Sequence, residues 1–335
     1  MRRGPGWEVY PTCAQVTSRA LTRGVGIGQR RGPTRWAAWP RPSLAVGSDR
    51  RSTHRGVQGG ALSPPVAFRV VADDRWDRDN LAWWEERVEL HLGSDLYDLS
   101  SFRAGRSSLF PYELEELGGV EGKDLLHLQC HVGLDTISWA RLGARATGLD
   151  YSARAVAAAS RLAAAEGVSA KFVVASVAEA PAVLGKQFDI VYTGKGALNW
   201  LPDLRSWAEV VHRLLRPGGL LYLVESHPLI DCMGETPDFE LDYVDPEETF
   251  WDEPGDYAVP DAATTSNRTH EKVHPLGEVV SCLAREGMGI RLLQERSEIF
   301  FARFPQLVAA EPGVWRLPSG LPRLPLSYSL LAQKG

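Results

Sequence analysis

Apolar runs of strand length and apolar residues at helical spacing take turns along most of the chain. The clearest example covers 123–150. Leu125, Leu126 and Leu128 form a run of buried-strand length, 129–133 reads as a tight turn, and Leu134, Ile137, Ala140 and Arg141 follow at helical spacing. Gly143 stops that helix, and 146–149 reads as a second strand ending at Asp150. The alternation then predicts a helix from an N-cap at Ser152 to Ala165, a strand at 170–175, a short helix at 179–184 and a strand at 188–193. A loop over 194–202, a helix at 204–214 and a strand at 220–225 come next. Between the last two, Leu-Arg-Pro-Gly-Gly (215–219) reads as a helix stop, because Pro217 cannot continue a helix and Gly218 accepts a positive φ.

Both flanks of this regular part carry irregular pieces. Trp76, Asn80, Trp83, Trp84, Val88 and His91 recur at three- and four-residue steps, which predicts an amphipathic helix over 73–91. Residues 93–109 read as irregular and 111–117 as a short helix before the first strand. Residues 226–269 break the alternation; they are acidic and aromatic, with Tyr243, Phe250, Trp251 and Tyr257, and too long for a simple turn. A helix from His274 or Pro275 to Glu286 and a strand at 289–296 restore it. A second irregular excursion covers 300–323, and 324–333 is a last strand, with Pro325 suited to its start.

Charge changes this picture at the N-terminus. Residues 1–70 carry twelve arginines and no lysine against Glu8 and Asp49, a net +10, so the rest of the −5 chain holds −15. With no sustained period and much Gly, Pro and Arg, 1–70 is expected to be a disordered extension. Its composition is what GC-rich non-coding DNA read from an early start codon would give; a nucleic-acid arm or a transit peptide are the other readings. Folded sequence is expected over 72–335, where the acidic balance argues against a nucleic-acid partner. Cys13, Cys130, Cys232 and Cys282 have no paired spacing, so neither a zinc site nor a disulfide framework is expected, and a reducing cytoplasm fits. No stretch approaches the roughly 20 apolar residues of a membrane span.

A strand, a glycine-bearing turn, a helix and then an acid 17 residues beyond Gly133 form the pattern of a nucleotide-binding βαβ unit, with Asp150 placed to accept from a ribose diol. The stretch resembles the cofactor-binding core of the class I S-adenosylmethionine-dependent methyltransferases. Their first motif is an acid, any residue, then Gly-x-Gly-x-Gly; here His127 stands at the acidic position, Gln129 and His131 at the first two glycines, and Gly133 is kept. The form Leu-His-Leu-Gln-Cys-His-Val-Gly resembles one bacterial subfamily, as does Leu-Arg-Pro-Gly-Gly before an apolar strand for the family at large. The resemblance implies an α/β fold: a seven-stranded Rossmann-like sheet with helices on both faces and a last antiparallel strand. It implies S-adenosyl-L-methionine as cofactor, held by Gln129, His131, Gly133, Asp150, Tyr151, Ser176, Val177 and Thr193. Gln129 and His131 either turn away from the cofactor or touch it themselves. Ser176 replaces the family's adenine-reading Asp, leaving the Val177 amide for an adenine nitrogen.

Ligands of such sheets bind outside the carboxyl ends of the parallel strands. The expected covers over that edge are the N-terminal helices (72–120) and the insertions 226–269 and 300–323, and several covers imply a small, enclosed acceptor. Trp84, Tyr97, Asn199, Trp200 and Arg268 are the candidate acceptor contacts, Arg268 for a carboxylate or simply in an ion pair. An acceptor hydroxyl needs a base; His274, His227 and Glu225 are the candidates, with capping or packing the alternative for each histidine. The expected function is methyl transfer from S-adenosylmethionine to a small molecule. The alternatives are a non-catalytic cofactor- or nucleotide-binding protein, or an NAD(P)-dependent enzyme. The oligomeric state is left open by the sequence.

Overall fold

The computed structural model describes residues 74–234 and 239–335. The expected extension 1–70 and the first two residues of the expected folded part lie outside them. Three helices come first, α1 (Asp74–Gly93), α2 (Leu99–Arg103) and α3 (Pro111–Leu117). A regular alternation follows: β1 (Asp124–Leu128), α4 (Leu134–Arg141), β2 (Arg145–Asp150), α5 (Ala153–Ala165), β3 (Lys171–Val174), α6 (Ala180–Leu184), β4 (Phe188–Gly194), α7 (Leu204–Leu214) and β5 (Leu215–Ser226). Then come α8 (Pro228–Asp231), β6 (Glu248–Asp252), β7 (Arg268–Lys272), α9 (Leu276–Arg285) and β8 (Met288–Arg296). The chain closes with β9 (Glu298–Ile299), β10 (Val308–Glu311), β11 (Val314–Arg316) and β12 (Ser327–Lys334).

Seven strands form one sheet in the order β3-β2-β1-β4-β5-β12-β8. The first five are parallel, and β12 runs antiparallel to both β5 and β8. This is the expected seven-stranded sheet with its reversed last strand. The order turns back between β1 and β4, so the carboxyl edge of those two strands opens a crevice at the switch point.

The central strands are apolar on both sides because helices cover both faces. Leu126, Leu128, Val191, Leu221 and Leu223 face Trp207, Val211 and Leu214 of α7 and Val279 and Leu283 of α9. Their alternates Leu125, Ile190, Tyr192, Tyr222 and Val224 pack with Trp139 of α4 and with Leu109 and Leu117. Val88 of α1 meets Val132 of the turn and Ala155 and Ala158 of α5, which seats α1 over the carboxyl edge.

Four stretches differ from the sequence reading. Residues 93–109 contain α2, whose Phe102 is fully buried against Ile137 and Leu162. Leu-Arg-Pro-Gly-Gly is not a separate turn: β5 starts at Leu215, and its register against β4 jumps from Phe188–Leu215 to Ile190–Leu220. Pro217 lies in that bulge, where no ladder N–H is required, and Gly218 has φ 76°. The insertion 226–269 contains α8 and most of an antiparallel ribbon, β6 with β7. The excursion 300–323 contributes β10 and β11, which join β9 in a small sheet ordered β10-β11-β9. No helix of the described residues is long and apolar enough to cross a membrane.

Candidate active site

The crevice begins at the turn after β1. Gln129, His131 and Gly133 have φ values of 56°, 47° and 78°, all in the left-handed region. The backbone thus keeps the course of a three-glycine turn although two of the three residues carry side chains. A left-handed L-residue costs roughly 1–2 kcal/mol, so both side chains must recover that elsewhere. Gln129 Nε2 donates to the Ala197 carbonyl at 2.9 Å, reaching across to the loop after β4, and its Oε1 is buried without a partner among the described residues. His131 Nε2 lies 2.8 Å from His91 Nδ1, and His91 Nε2 lies 2.9 Å from Asp256 Oδ2. Neither side chain turns away from the crevice side of the sheet.

Gly133 has a packing reason as well as a conformational one. A Cβ there would sit 2.7 Å from Phe172 Cε1 and 2.8 Å from the Ala159 Cβ. A larger residue at Gly133 would therefore disturb the fold as well as the turn. His127, at the family's acidic position, is buried with Nδ1 2.9 Å from Thr136 Oγ1, and burial pushes its pKa down to about 4, so it is neutral. The nearby acid is instead Asp135. It binds Lys195 Nζ at 2.9 Å and accepts from Ser108 and Tyr192, so it caps nothing. Glu113 accepts from Tyr192 at 2.8 Å and completes this internal network. Burial opposes the charge of Lys195, yet Asp135 and Glu113 hold its pKa above the usual lysine range.

Asp150 is buried at the end of β2. Its Oδ2 accepts from the His131 N–H at 2.8 Å and its Oδ1 from the Ser152 N–H at 2.9 Å. Burial pushes its pKa up to about 6 against those bonds. The cap of α5 is Ser152, whose hydroxyl accepts from the Ala155 N–H at 3.0 Å. Asp150 thus staples the turn, and not all four acceptor sites of the carboxylate are used. Tyr151 follows it, half-buried. Thr193, near the end of β4, is fully buried with no partner for Oγ1 among the described residues. Ser176 bonds locally, its Oγ and N–H both donating to Glu179 Oε2 at 2.8 and 2.9 Å. Val177 packs against the core.

Aromatic rings roof the crevice. Trp84 meets His131 at 4.9 Å and Trp200 at 5.0 Å between centroids, and Tyr97 stacks on His91 at 5.0 Å. Tyr97 and Tyr257 share a hydroxyl hydrogen bond of 2.6 Å. The roof is held by α1. Trp76 Nε1 donates to the Trp200 carbonyl, Asn80 exchanges two 2.8 Å bonds with the backbone of His270, and Arg87 donates to the carbonyls of Gly255 and Ser266. Glu85 accepts from Ser152 Oγ and the Arg154 N–H. Sequence reasoning put Asn80 and His91 on the inward stripe without a role and missed Glu85, Arg87 and Asp256. The polar pair on an otherwise apolar stripe was the available signal, since a buried polar group needs a partner.

The three candidate bases are engaged. Glu225 accepts from the N–H groups of Gly196, Ala197 and Leu198 at 2.6, 2.8 and 3.2 Å, and burial pushes its pKa up to about 8. It holds the loop after β4 in place. His227 caps α8: Nδ1 accepts from the Leu229 N–H at 3.1 Å, so Nε2 carries the proton toward Glu295 Oε1 at 2.9 Å. His274 Nε2 donates to the Leu201 carbonyl at 2.8 Å, and Nδ1 faces Glu278 at 3.1 Å. Each of the three candidate bases thus makes hydrogen bonds within the protein. Arg268 pairs with Asp252 on the exposed β6–β7 ribbon and does not reach the crevice. Asn199 binds Glu271 Oε2 at 2.9 Å and lines a cavity of about 20 Å³ with Glu225, Asp231, His274 and Tyr328. That is room for one water.

Comparison with known proteins adds the following. Residues 126–221 match a family model described as a methyltransferase domain. The chain is 32% identical over 164 residues to the ubiquinone biosynthesis O-methyltransferase of Cronobacter sakazakii, covering 48% of this chain and 63% of that protein. It is 32% identical over 162 residues to the Klebsiella pneumoniae protein of the same name, with 48% and 62% covered. The chain thus spans less than two thirds of the length of these curated relatives. An S-adenosylmethionine-dependent methyltransferase from Mesorhizobium loti aligns with 69% of this chain and 100% of that one, at 19% identity and a TM-score of 0.45. A glycopeptide N-methyltransferase complexed with S-adenosylmethionine aligns with 67% and 92%, at 16% identity and a TM-score of 0.45.

Proposed function

We propose that this protein transfers a methyl group from S-adenosylmethionine to a small-molecule acceptor. The observation that carries the reading is the turn 129–133. Three left-handed residues stand at the switch point of the sheet, with Asp150 bound to the turn's own N–H, inside the span matched by the methyltransferase-domain model. The residues fit the cofactor. The spare lone pairs of Asp150 suit a ribose diol, and Gln129 Oε1 and Thr193 Oγ1 are buried acceptors awaiting a polar partner. The indole and phenol faces of Trp84, Trp200 and Tyr97 suit a cationic donor, at about 0.5–2 kcal/mol per contact. When bound, the cofactor supplies an electrophilic methyl on a sulfonium. The chain's part is to orient both reactants and exclude water under the roof of α1 and the insertion.

An acceptor oxygen is the first class to test, because the curated relatives are named O-methyltransferases. The commitment of His227, His274 and Glu225 to structural hydrogen bonds favours a second reading, cofactor binding without turnover. Calorimetry with S-adenosylhomocysteine, followed by labelled-methyl transfer into cell extract, separates them. Binding with transfer into a small molecule supports the first reading, binding with no transfer into any acceptor supports the second, and no binding overturns both.

A further inference from the structure

The small cavity beside Asn199 has walls that are polar and acidic. It lies where the carboxyl end of β5 meets the loop after β4, and its polar lining is Asn199, Glu225, Ser226, Asp231, His274 and Tyr328. Three of these keep an acceptor without a partner among the described residues. The Tyr328 hydroxyl makes no hydrogen bond to them although the residue is only 2% exposed. Asp231 accepts from Ser226 Oγ at 3.1 Å through Oδ2, and its Oδ1 accepts from none of them. Asn199 Nδ2 is fixed on Glu271 Oε2 at 2.9 Å, so its buried atom without a partner is the oxygen. Burial raises the pKa of Glu225 to about 8, that of Glu271 to about 7 and that of Asp231 as well, and the Asp231 charge adds to the rise in both glutamates. The cation that acts on Asp231 and Glu271 is Arg303, which donates to the Met233 carbonyl and pairs with neither. The two imidazoles nearby bring acids of their own, His274 with Glu278 and His227 with Glu295. Three carboxyl groups thus share one guanidinium.

We propose that this cavity seats a primary ammonium group of the methyl acceptor, with Asp231, Tyr328 and Asn199 as its hydrogen-bond acceptors. The inference rests on the methyl-transfer reading above and names the acceptor's class: a small molecule that carries a primary amine as well as the atom to be methylated. An ammonium has three donors and no acceptor, the complement of three acceptors that have no donor to meet. The surplus of carboxyl groups supplies the charge, since a cation among them favours the ionised form that burial opposes. Size narrows the class. About 20 Å³ holds one water, and so one ammonium nitrogen, whereas a trimethylammonium brings three carbons more. A nitrogen held this way stays protonated and has no lone pair to offer, so it anchors the acceptor and is not the methylated atom. Place agrees with this role. Leu198–Trp200 is a single turn that lines the cavity with Leu198 and Asn199 and roofs the crevice with Trp200. An acceptor anchored in the cavity therefore has the donor's crevice one turn of backbone away.

Two measurements on the full-length protein test this. The first is the melting temperature, with S-adenosylhomocysteine present, in n-butylammonium, butyltrimethylammonium or n-butanol at matched ionic strength. Only n-butylammonium should raise it. Asp231→Asn should weaken that probe about 10- to 100-fold and Tyr328→Phe about 2- to 10-fold, with S-adenosylhomocysteine affinity as in the wild type. Tyr328→Phe deletes a hydroxyl that bonds to no described residue, so it serves even if Asp231→Asn does not fold. A shift shared by either of the other probes, no shift with n-butylammonium, or a shift that both variants keep would leave the cavity a water site and overturn the inference. The second measurement is labelled-methyl transfer into cell extract, with and without prior acetylation of the extract's amines. The labelled product should still react as a primary amine, and acetylation should abolish it. A product without a primary amine, or one that acetylation spares, overturns the inference while methyl transfer stands. A protein that binds no S-adenosylhomocysteine, or labels nothing in untreated extract, overturns the methyl-transfer reading and this inference with it.

Discussion

Asp150 is a carboxylate that the fold uses and that the proposed cofactor would use again. It holds the turn through the His131 N–H and the start of α5 through the Ser152 N–H. Asp150→Ala is therefore expected to lower S-adenosylhomocysteine affinity roughly 10- to 150-fold and unfolding free energy by about 1–3 kcal/mol. Titration calorimetry and urea melts measure the two separately; unchanged affinity beside a large stability loss would leave Asp150 as a staple only. Gly133 is the opposite case, a residue the fold needs whatever the ligand does. Gly133→Ala should cost about 2–5 kcal/mol, from left-handed backbone and from overpacking against Phe172 and Ala159. Phe172→Leu in the same chain should return part of it in urea melts, and no recovery would mean that the backbone term dominates. The places of Asp150 at the end of β2 and of Gly133 in a left-handed turn were legible in the sequence, because the apolar run before the one and the residue type of the other mark them. The left-handed Gln129 and His131 were not, since neither residue type announces a positive φ. The hydrogen bonds of the candidate bases were not legible for a related reason: sequence shows that a histidine is near an edge, but not which carbonyl or N–H meets its nitrogens.

The elements that build the sheet were legible, and the covers were legible only as covers. β1, β4, α4 and α7 fall within a residue or so of their predicted bounds because apolar runs and helical spacing are strong, local signals there. The β6–β7 ribbon and the small β9–β11 sheet were not seen, since their strands are short, and those of the ribbon are mostly polar and pair 16 to 24 residues apart. α1 lies between these cases. Its inward stripe was read correctly, but Arg87 was not part of that reading and is fully buried, with its guanidinium 3.9 Å over the Trp83 ring. A hydrophobic pattern cannot register an arginine whose burial is compensated by carbonyls 168 and 179 residues away. The attachment of α1 through Asn80 makes a direct prediction. Its amide pairs with both backbone groups of His270 as a neighbouring strand would, so Asn80→Ala leaves two buried partners unsatisfied, at about 1–3 kcal/mol each. Hydrogen exchange should rise in α1 and β7 while β1, β4 and β5 stay as protected as before; a uniform rise across the sheet would mean that the cover and the core unfold as one.

At the scale of the whole molecule, the buried ionisable groups oppose one another, and pH separates them. Glu225 and Glu271 are acids whose pKa values burial raises from 4.5 to about 8 and about 7. Each holds a proton in the folded state that the unfolded chain has released, so its contribution to stability is full below about pH 4.5 and is lost as pH rises through the folded value. His127 runs the other way. Its folded pKa lies at about 4 against 6.5 unfolded, so it weakens the fold as pH falls below 6.5, and His131 and His227 shift in the same direction. Between pH 4.5 and 6.5 the acids and the histidines therefore offset each other. Above pH 6.5 these histidines are neutral in both states, and the buried acids remain: the two glutamates, with Glu113, whose pKa burial also raises. The unliganded protein should then lose several degrees of Tm between pH 6.5 and 9. Glu271→Gln keeps an acceptor for Asn199 and removes one of these protons, so it should make that decline shallower. Scanning calorimetry of both proteins across this range decides the matter: a wild-type Tm that is level or rising above pH 6.5 would mean that Glu225 is ionised in the fold, held as an anion by its three backbone N–H donors, and that burial does not control these acids.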